Sequence, residues 1–317
     1  MTVIISDNAS TDGTAGVCRE LAATDPRVRY YRQTRNVGLY GNWQSLVHHL
    51  ASEKYALLLP DDDLLCDPTY LRRAVIVAEE AHLSAVFSVI DLADSKSNKV
   101  LRPEFDIPLR PPPSWWAARL GRHQRGVALF PSFATVFNVQ AARHLHAYEP
   151  GVYGLDSEFQ LRLMIAAPVG FLPGHFYVGV EHEGNDHQVA PVDEVLRGLG
   201  IFKRTLDLVG LSGQSHRDWL NWRSCCDRLI AIYARHLLAP AWLRQQGSGL
   251  GSLAALNRVI SPYSRRAAYA TTLDPRVVTT LLLGAHPGFV HALRRAWRTV
   301  GGGPDVRQVE DWKPSEK

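Results

Sequence analysis

The sequence is poor in cysteine and has no pattern that would use cysteine as a structural staple. Its 317 residues include 4 cysteines, of which Cys225 and Cys226 are adjacent while Cys18 and Cys66 stand alone. No C-x-x-C pair occurs, so neither a zinc site nor a disulfide framework is indicated. No apolar run reaches the roughly 18 residues that a membrane-spanning helix needs, and the first residues carry no signal-peptide pattern. These absences predict a protein of the reducing cytoplasm.

Acidic residues are scarce in the C-terminal third. Between Glu194 and Val300 there are 15 Lys and Arg against 5 Asp and Glu, a net charge of +10 in a chain whose total is +4. Basic helices with interleaved tryptophans predict peripheral contact with an anionic membrane, at its cytoplasmic inner face. A solvated helical cap is the alternative. No nucleic-acid-binding motif accompanies the charge, so nucleic acid is not an expected partner. The tryptophans and the densest basic groups are Trp219, Trp222, Trp242, Trp297, Arg265-Arg266 and Arg294-Arg295-x-x-Arg298.

Short apolar runs alternate with helical spacing over the first ninety residues. Strands are predicted at Thr2–Ile5, Val28–Tyr31, Tyr55–Leu59 and Ala85–Ile90, and helices at Gly13–Ala23, Tyr40–Ala51 and Pro68–Ala81. This alternation predicts an α/β fold with a mostly parallel sheet. The continuous apolar run before residue 60 is typical of a strand that is buried on both faces.

The pattern changes along the rest of the chain. Strands are predicted at Ser132–Asn138, Val169–Leu172 and Phe176–Val180, a helix at Asp156–Ala166, and helices throughout from Val192. We therefore predict a catalytic α/β domain over 1–190, a basic helical region over 191–300 and a disordered tail over 301–317.

Three consecutive carboxylates give the strongest chemical signal. Asp61, Asp62 and Asp63 directly follow a predicted strand, and ligands of open parallel sheets sit at the carboxyl ends of strands. Adjacent carboxylates repel each other unless a cation offsets their charge, and Mg²⁺ or Mn²⁺ prefers oxygen ligands. A solvated acidic turn is the alternative interpretation.

Two further polar segments also lie between a strand and a helix. In Ser6-Asp7-Asn8-Ala9-Ser10-Thr11-Asp12-Gly13-Thr14, Asp7 lies at the strand's end, where it could accept hydrogen bonds from a nucleobase or ribose. In Arg35-Asn36-Val37-Gly38-Leu39-Tyr40-Gly41-Asn42, the glycines permit close backbone approach and the helix N-terminus favours anions.

Together the three segments resemble glycosyltransferase family 2, the inverting nucleotide-sugar enzymes with a GT-A-type, Rossmann-like fold. Asp7-Asn8-Ala9-Ser10-Thr11-Asp12-Gly13-Thr14, Asn36-x-Gly38 with Asn42, and Asp61-Asp62-Asp63 match the family's motifs in order and spacing. The resemblance covers roughly residues 1–185. The wording of the first motif is most similar to members that build bacterial O-antigen and other surface polysaccharides, including abequosyltransferase-like ones.

The resemblance implies a role for each matching residue. Asp7 would contact the nucleotide base, and Asn36 and Gly38 would line the nucleotide pocket. Asp61 would lie near the ribose and the metal, Asp62 would belong to the nucleotide-sugar site, and Asp63 would ligate a Mg²⁺ or Mn²⁺ ion that bridges the two phosphates. The donor would be a nucleotide diphosphate sugar, and the acceptor a hydroxyl of a glycan or a lipid-linked molecule.

The family's catalytic base lies at a helix start, often within a Glu-Asp pair. The corresponding stretch here is Gly154-Leu155-Asp156-Ser157-Glu158. Residues two apart on a helix do not face each other, so we take Asp156 as the base and Glu158 as a solvated or capping residue. A plain helix cap is the alternative for Asp156.

The chain departs from the family pattern at its start. Family members begin with an additional strand, ending near P-x-Y-N, and a helix, whereas this sequence starts at the equivalent of the second strand. A non-catalytic remnant or binding subunit is therefore a rival interpretation. A nucleotidyltransferase is a second rival, although the glycine-rich loop with a basic residue that it needs is not found.

Two other groups have mainly structural interpretations. His182, His187, Glu181, Glu183 and Asp186 cluster after the last predicted strand, and an exposed polar loop is favoured over contact with a phosphate or the metal. Trp115 and Trp116 are expected to pack in the core rather than to stack on acceptor sugars.

Overall fold

The computed structural model describes residues 1–96, 99–124, 127–185 and 189–283. It begins with strand β1 (Val3–Asp7), helix α1 (Thr14–Thr24) and strand β2 (Val28–Arg32). The two strands pair in parallel, with Val3 opposite Val28 and Asp7 opposite Arg32, and they form a two-stranded sheet of their own.

The middle of the chain supplies a second, larger sheet and the helices around it. Helix α2 (Leu39–Ser45) continues directly into a π-helical turn (Leu46–Leu50). The elements that follow are β3 (Tyr55–Ala56), β4 (Leu64–Leu65), α3 (Tyr70–Glu80), β5 (Ala85–Asp94), β6 (Lys99–Leu101), α4 (Pro113–Arg119), β7 (His123–Gln124), β8 (Val127–Ala128), β9 (Ala134–Asn138), α5 (Val139–His144), α6 (Leu155–Ala166) and β10 (Val169–Glu181).

The C-terminal region is helical, as the sequence predicts. A second π-helical turn (Ala234–Leu238) joins two of its helices without a break. The helices are α7 (Val192–Gly198), α8 (Gly200–Leu211), α9 (His216–Tyr233), α10 (Ala239–Gln246), α11 (Leu250–Ile260), α12 (Arg265–Thr272) and α13 (Pro275–Leu283). The predicted groups around Arg294, Trp297 and the tail 301–317 lie outside the described residues.

The larger sheet has six strands in the order β3-β9-β5-β10-β4, with β6 also paired to β5. The α/β class and the helical C-terminal region are confirmed, but the pairing is mixed rather than mostly parallel. Only β5 and β10 run parallel in this sheet, while the β3–β9, β5–β9, β5–β6 and β4–β10 pairs are antiparallel. Side-chain alternation marks a strand but carries no information on its direction, which is why the sequence pattern did not reveal this.

Strand β5 is the centre of the fold. Its first residues, Ala85 to Phe87, have no exposed surface, as expected for a strand covered on both faces. The hydroxyl of Ser88, also fully buried, donates to the Leu172 carbonyl oxygen on β10 at 3.0 Å, so this polar group is satisfied inside the sheet.

One hydrophobic core joins the sheet to the C-terminal helices. Phe87 and Trp116 belong to the same cluster of buried residues as Trp222 on α9 and Leu256 on α11. Trp116 is fully buried and meets the rings of Phe87 and Trp115 edge to face, which confirms the packing interpretation of this tryptophan pair. Helix α3 covers the opposite face of the sheet.

The predicted strand at Tyr55–Leu59 is much shorter than its apolar run. Only Tyr55 and Ala56 pair, with Asn138 and Phe137 of β9, and Leu59 is 45% exposed. The prediction of a strand buried on both faces over residues 55–59 is therefore wrong here.

No helix among residues 1–96, 99–124, 127–185 and 189–283 is both long and apolar enough to cross a bilayer.

Helix α7 approaches α9 so closely at Gly198 that a side chain cannot fit. A Cβ at this position would overlap the hydroxyl of Tyr233 and lie 3.1 Å from the Tyr153 carbonyl oxygen. The same hydroxyl donates to the Val195 carbonyl oxygen at 2.7 Å. We expect Gly198→Ala to lower the free energy of unfolding by about 1–3 kcal/mol, as overpacking usually does, measured by urea denaturation.

Gly210→Ala is the matched control. Gly210 lies in α8 with nothing within 4 Å of an added Cβ, so alanine should leave stability unchanged or raise it by up to about 1 kcal/mol. Equal effects of the two substitutions would contradict the close approach of α7 and α9.

Candidate active site

Side-chain amides join the polar segment after β1 to the polar segment before α2. Asn42 on α2 donates to the Ser6 carbonyl oxygen at 2.8 Å, and its Oδ1 accepts from the Ser6 hydroxyl at 2.7 Å. Asn8 donates to Oδ1 of Asn36 at 3.0 Å and accepts from the Val37 amide at 2.8 Å. The polar segments after β1 and before α2 therefore form one connected edge.

Gly38 begins helix α2 with a backbone conformation that favours glycine. Its φ is +78°, and its amide donates to Oδ1 of Asn36 at 2.8 Å. A side chain would be strained at this φ, so the tight entry into α2 explains the glycine without any ligand.

Asp7 is enclosed by donors of its own chain. Its side chain has no exposed surface, and it accepts from the Ser10 amide at 2.7 Å and the Tyr30 hydroxyl at 2.6 Å. Burial opposes its charge, but these hydrogen bonds and the nearby Arg32 guanidinium outweigh burial and lower the pKa of Asp7 to about 2. Asp7 therefore stabilises the turn after β1 in this conformation.

The acidic triplet lies in a cavity of about 360 Å³, called here the acidic cavity. Its lining includes Asp61, Asp62 and Asp63, Asp156 on α6, and Leu39 and Trp43 on α2. The structure thus brings together four of the predicted site residues, whereas Asp7, Asn36 and Gly38 do not line this cavity. Helix α2 connects the two groups, since Gly38 precedes Leu39.

Asp63 is held by strand β10. Its Oδ2 accepts from the Tyr177 hydroxyl at 2.6 Å and its Oδ1 from the Val180 amide at 3.0 Å. Burial raises the pKa of Asp63 although these two hydrogen bonds lower it, and the charges of Asp62 and Glu181 raise it further. Sequence analysis missed Tyr177, because nothing in a strand's alternation shows that a tyrosine faces a carboxylate.

His182 reaches the acidic triplet, contrary to the exposed loop that sequence favours. Its Nδ1 accepts from the Gly184 amide at 3.1 Å, so the proton of the neutral ring lies on Nε2, which donates to Oδ2 of Asp62 at 3.0 Å. Asn185 also donates to Asp62 at 3.2 Å. The predicted Asp186 and His187 lie outside the described residues.

The donor set suits a hard divalent cation that is shared with a phosphorylated ligand. Within the described parts of the chain, no group of three or more His, Cys, Asp or Glu side chains could hold a metal by itself. Mg²⁺, however, is commonly bound through one or two carboxylates together with substrate phosphates. Each oxygen of Asp63 keeps a lone pair after accepting its hydrogen bond, and Asp61 is exposed in the same cavity.

Asp156 lies in the first turn of α6 and is half-buried. It lines the acidic cavity together with the triplet and Tyr148. Burial raises the pKa of the Tyr148 and Tyr233 hydroxyls, and the charge of Asp156 raises both further. The side chain at this helix start therefore faces the cavity rather than solvent alone.

Glu158 is not the solvated or capping residue that the sequence predicts. It is 2% exposed and pairs with Arg162 at 2.9 Å and with Arg204 on α8 at 3.4 Å. Arg162 lies one helical turn further on the same face, and Asp156 lies two residues earlier on another face. The structure therefore separates the two carboxylates: Glu158 packs α6 against α8, and Asp156 borders the cavity.

Comparisons with known proteins agree with this fold. Residues 1–145 match the model of Glycosyl transferase family 2. The mannosyltransferase PcManGT from Pyrobaculum calidifontis, solved with GDP-Man and Mn²⁺, is 17% identical with a TM-score of 0.52, over 88% of this chain and 77% of that one. No match was found among curated proteins.

Two other solved structures were matched. S. aureus TarS (residues 1–349) is 12% identical with a TM-score of 0.48, over 85% of this chain and 80% of that one. GalNAc-T7 with UDP, GalNAc and Mn²⁺ is 10% identical with a TM-score of 0.43, over 83% of this chain and 48% of that one.

The mixed sheet and the helical C-terminal region are those of a GT-A glycosyltransferase fold. Over residues 1–145 the chain is similar to glycosyltransferase family 2.

The lowered pKa of Asp7 makes stability depend on pH. An aspartate with a pKa of 3.8 when unfolded and about 2 when folded adds stability above pH 3.8, and that stability is lost as pH falls through 2. We expect Asp7→Asn to lower the free energy of unfolding by about 1–2 kcal/mol at pH 7, with the difference shrinking towards pH 2.

Tyr30→Phe removes one of the hydrogen bonds that lower this pKa and should cause a smaller loss with the same pH trend. Tyr31→Phe is its control, because Tyr31 is 40% exposed and lies next to it on β2. Denaturation at several pH values measures both, and a pH-independent effect of Asp7→Asn would exclude this origin of stability.

Proposed function

We propose that the chain transfers a sugar from a nucleotide diphosphate sugar to a hydroxyl acceptor, with inversion at the anomeric carbon. The observation that carries the proposal is a single cavity that Asp156 lines together with Asp61, Asp62 and Asp63. The family match over 1–145 supports glycosyl transfer, and the fold similarity to a mannosyltransferase solved with GDP-Man and Mn²⁺ supports this class of donor.

The donor would lie along the polar edge after β1, which helix α2 connects to the acidic cavity. Asp7, Asn36 and Gly38 are the proposed contacts for the nucleoside, and Asp61 and Asp62 those for the ribose and phosphates. Since the Asp7 carboxylate is enclosed by Ser10 and Tyr30, its contact with a base requires one of these hydrogen bonds to open.

Asp61 and Asp63 are the proposed ligands of a divalent cation, Mg²⁺ or Mn²⁺. Such a cation would offset the negative charge that grows on the diphosphate leaving group. Tyr177 and Val180 fix the Asp63 carboxylate in one orientation, so the ligand is positioned before the donor arrives. His182 and Asn185 hold Asp62 in the same way.

Asp156 would act as the general base. Its carboxylate takes the proton of the acceptor hydroxyl, and the oxygen forms a bond to the anomeric carbon. The bond from that carbon to the diphosphate oxygen breaks at the same time, and its electron pair leaves with the diphosphate. Attack by the acceptor oxygen on the face opposite the leaving diphosphate inverts the configuration.

The proposal predicts that Asp63 is needed for metal-dependent donor binding and Asp156 for the chemical step. We expect Asp63→Asn to abolish the part of nucleotide affinity that depends on Mg²⁺ or Mn²⁺. We expect Asp156→Asn to bind the donor normally but to lower turnover by about two to four decades, the usual contribution of a general base. Calorimetry and release of nucleoside diphosphate, with GDP-Man and UDP-GalNAc among the donors tested, measure the two effects.

Asp193→Asn is the matched control, because Asp193 is an exposed acid on α7 outside the cavity. It should change neither quantity. Full activity in Asp156→Asn, or donor affinity in Asp63→Asn that still responds to a chelator, would contradict the assigned roles.

We further propose peripheral contact with anionic membranes through α12. Arg265 and Arg266 are exposed at its start, Tyr269 one turn later is 64% exposed, and Leu273 just after it is 75% exposed. Residues four apart share one helix face, so basic, aromatic and aliphatic groups follow each other along the solvent side, as in helices that lie on membrane surfaces.

Vesicle co-sedimentation tests this contact. Binding to anionic vesicles should exceed binding to neutral ones, weaken as salt rises, and fall several-fold when Arg265 and Arg266 are both changed to Glu. The control changes Arg110 and Arg119, which are exposed outside α12, to Glu. It alters the net charge by the same amount and should reduce vesicle binding less. Equal losses of vesicle binding in the two double variants would contradict a contact through α12 and indicate only a general charge effect.

A further inference from the structure

A second cavity of about 200 Å³, called here the aromatic recess, adjoins the acidic cavity. The two share Leu39, Trp43 and Asp156 as lining residues. The proposed base, Asp156, therefore borders both the acidic cavity and the aromatic recess. Other lining residues of the recess are Tyr40, Phe130, Tyr153, Phe202, Tyr233 and Leu237.

The walls of the recess are mainly aromatic and aliphatic. Phe202 and Tyr233 are 2% and 3% exposed, whereas Leu39 is 41% exposed, so the recess has a buried end and an open side. The Tyr233 hydroxyl donates to the Val195 carbonyl oxygen at 2.7 Å, and the Tyr40 oxygen accepts from the Gly154 amide at 2.7 Å. These two tyrosine oxygens are engaged by the protein. The remaining lining is mostly ring faces and hydrocarbon, with Asp156 and Ser157 as its polar groups beside the Tyr153 hydroxyl.

One π-helical turn contributes a lining residue to the recess, and a second begins three residues after the lining residue Trp43. The first contains Leu237 and directly follows Tyr233, and the second continues α2. Such turns are uncommon and are found often at functional sites. Their position supports a binding role independently of the lining composition.

We infer that the aromatic recess binds an apolar group of the acceptor, so that the acceptor is an alcohol carrying a hydrocarbon or aromatic group next to its reacting hydroxyl. The inference rests on the proposed function and names its acceptor class. A fully polar glycan would leave its hydroxyls unpaired against these walls, which is unfavourable. An apolar group gains by burial there and brings the adjacent hydroxyl to Asp156, where the proton transfer described above occurs.

Two glucosides that differ only in their apolar group test the inference. The probes are n-hexyl β-D-glucoside and methyl β-D-glucoside. Burial of two or more additional methylene groups corresponds to at least about a tenfold gain in affinity, so calorimetry should show that preference for the hexyl compound. Equal affinity of the wild-type chain for both probes would overturn the inference.

Variants of the recess show whether the preference originates there. Leu237→Trp fills the recess and Phe130→Asn makes its wall polar; both should reduce the preference to about twofold or less, while Leu237→Met should keep it. Leu250→Trp is the control, since Leu250 is 75% exposed on α11 and lines neither cavity. Thermal unfolding checks that each variant is folded, and a preference that survives in both folded recess variants contradicts the inference.

Transfer assays separate this inference from the proposed function. A kcat/KM about tenfold higher for the hexyl glucoside than for the methyl glucoside supports both. Transfer at equal kcat/KM overturns the acceptor class and leaves the transferase proposal intact. Hexyl preference in binding without transfer from any donor overturns the transferase proposal and, with it, the assignment of the recess to an acceptor.

Discussion

The organisation of the site depends on two hydrogen bonds that strand β10 donates to Asp63. The Tyr177 hydroxyl and the Val180 amide fix this carboxylate at 2.6 Å and 3.0 Å. Since β10 also pairs with β5, the most buried strand, the acidic turn is tied to the centre of the core. Burial and the charge of Asp62 both disfavour the ionised form of Asp63. The two donors from β10 partly compensate for this effect. Without them, three adjacent carboxylates would repel each other in a solvated turn.

Sequence reasoning worked well where one local pattern determines the outcome. Helical periodicity predicted both ends of α1 and of α3 to within two residues. The apolar run from Ala85 predicted the start of β5. The three polar segments were recognised because loops at strand ends tolerate short polar side chains and glycine. The structure gathers Asp61, Asp62, Asp63 and Asp156 around one cavity, which spacing along the chain suggested only through the family resemblance.

What the sequence did not predict depends on contacts between distant residues. Glu158 looked solvated because its second partner, Arg204, lies 46 positions away. His182 looked like part of an exposed loop because Asp62 lies 120 positions earlier. Strand directions in the sheet depend on which strands pair with β5 and β9, and these partners are distant in the sequence. None of these relations leaves a periodic signal in the chain.

The separate sheet of β1 and β2 has a consequence for how the molecule opens. A two-stranded sheet has little stability of its own in water, and this one is joined to α2 largely by amide and hydroxyl side chains, Ser6 with Asn42 and Asn8 with Asn36. Its backbone amides should exchange with solvent through a local opening that leaves β5 and the C-terminal helices folded. The edge proposed for the nucleoside then belongs to the least protected unit of the fold, and a bound nucleotide would slow that exchange by stabilising the closed state.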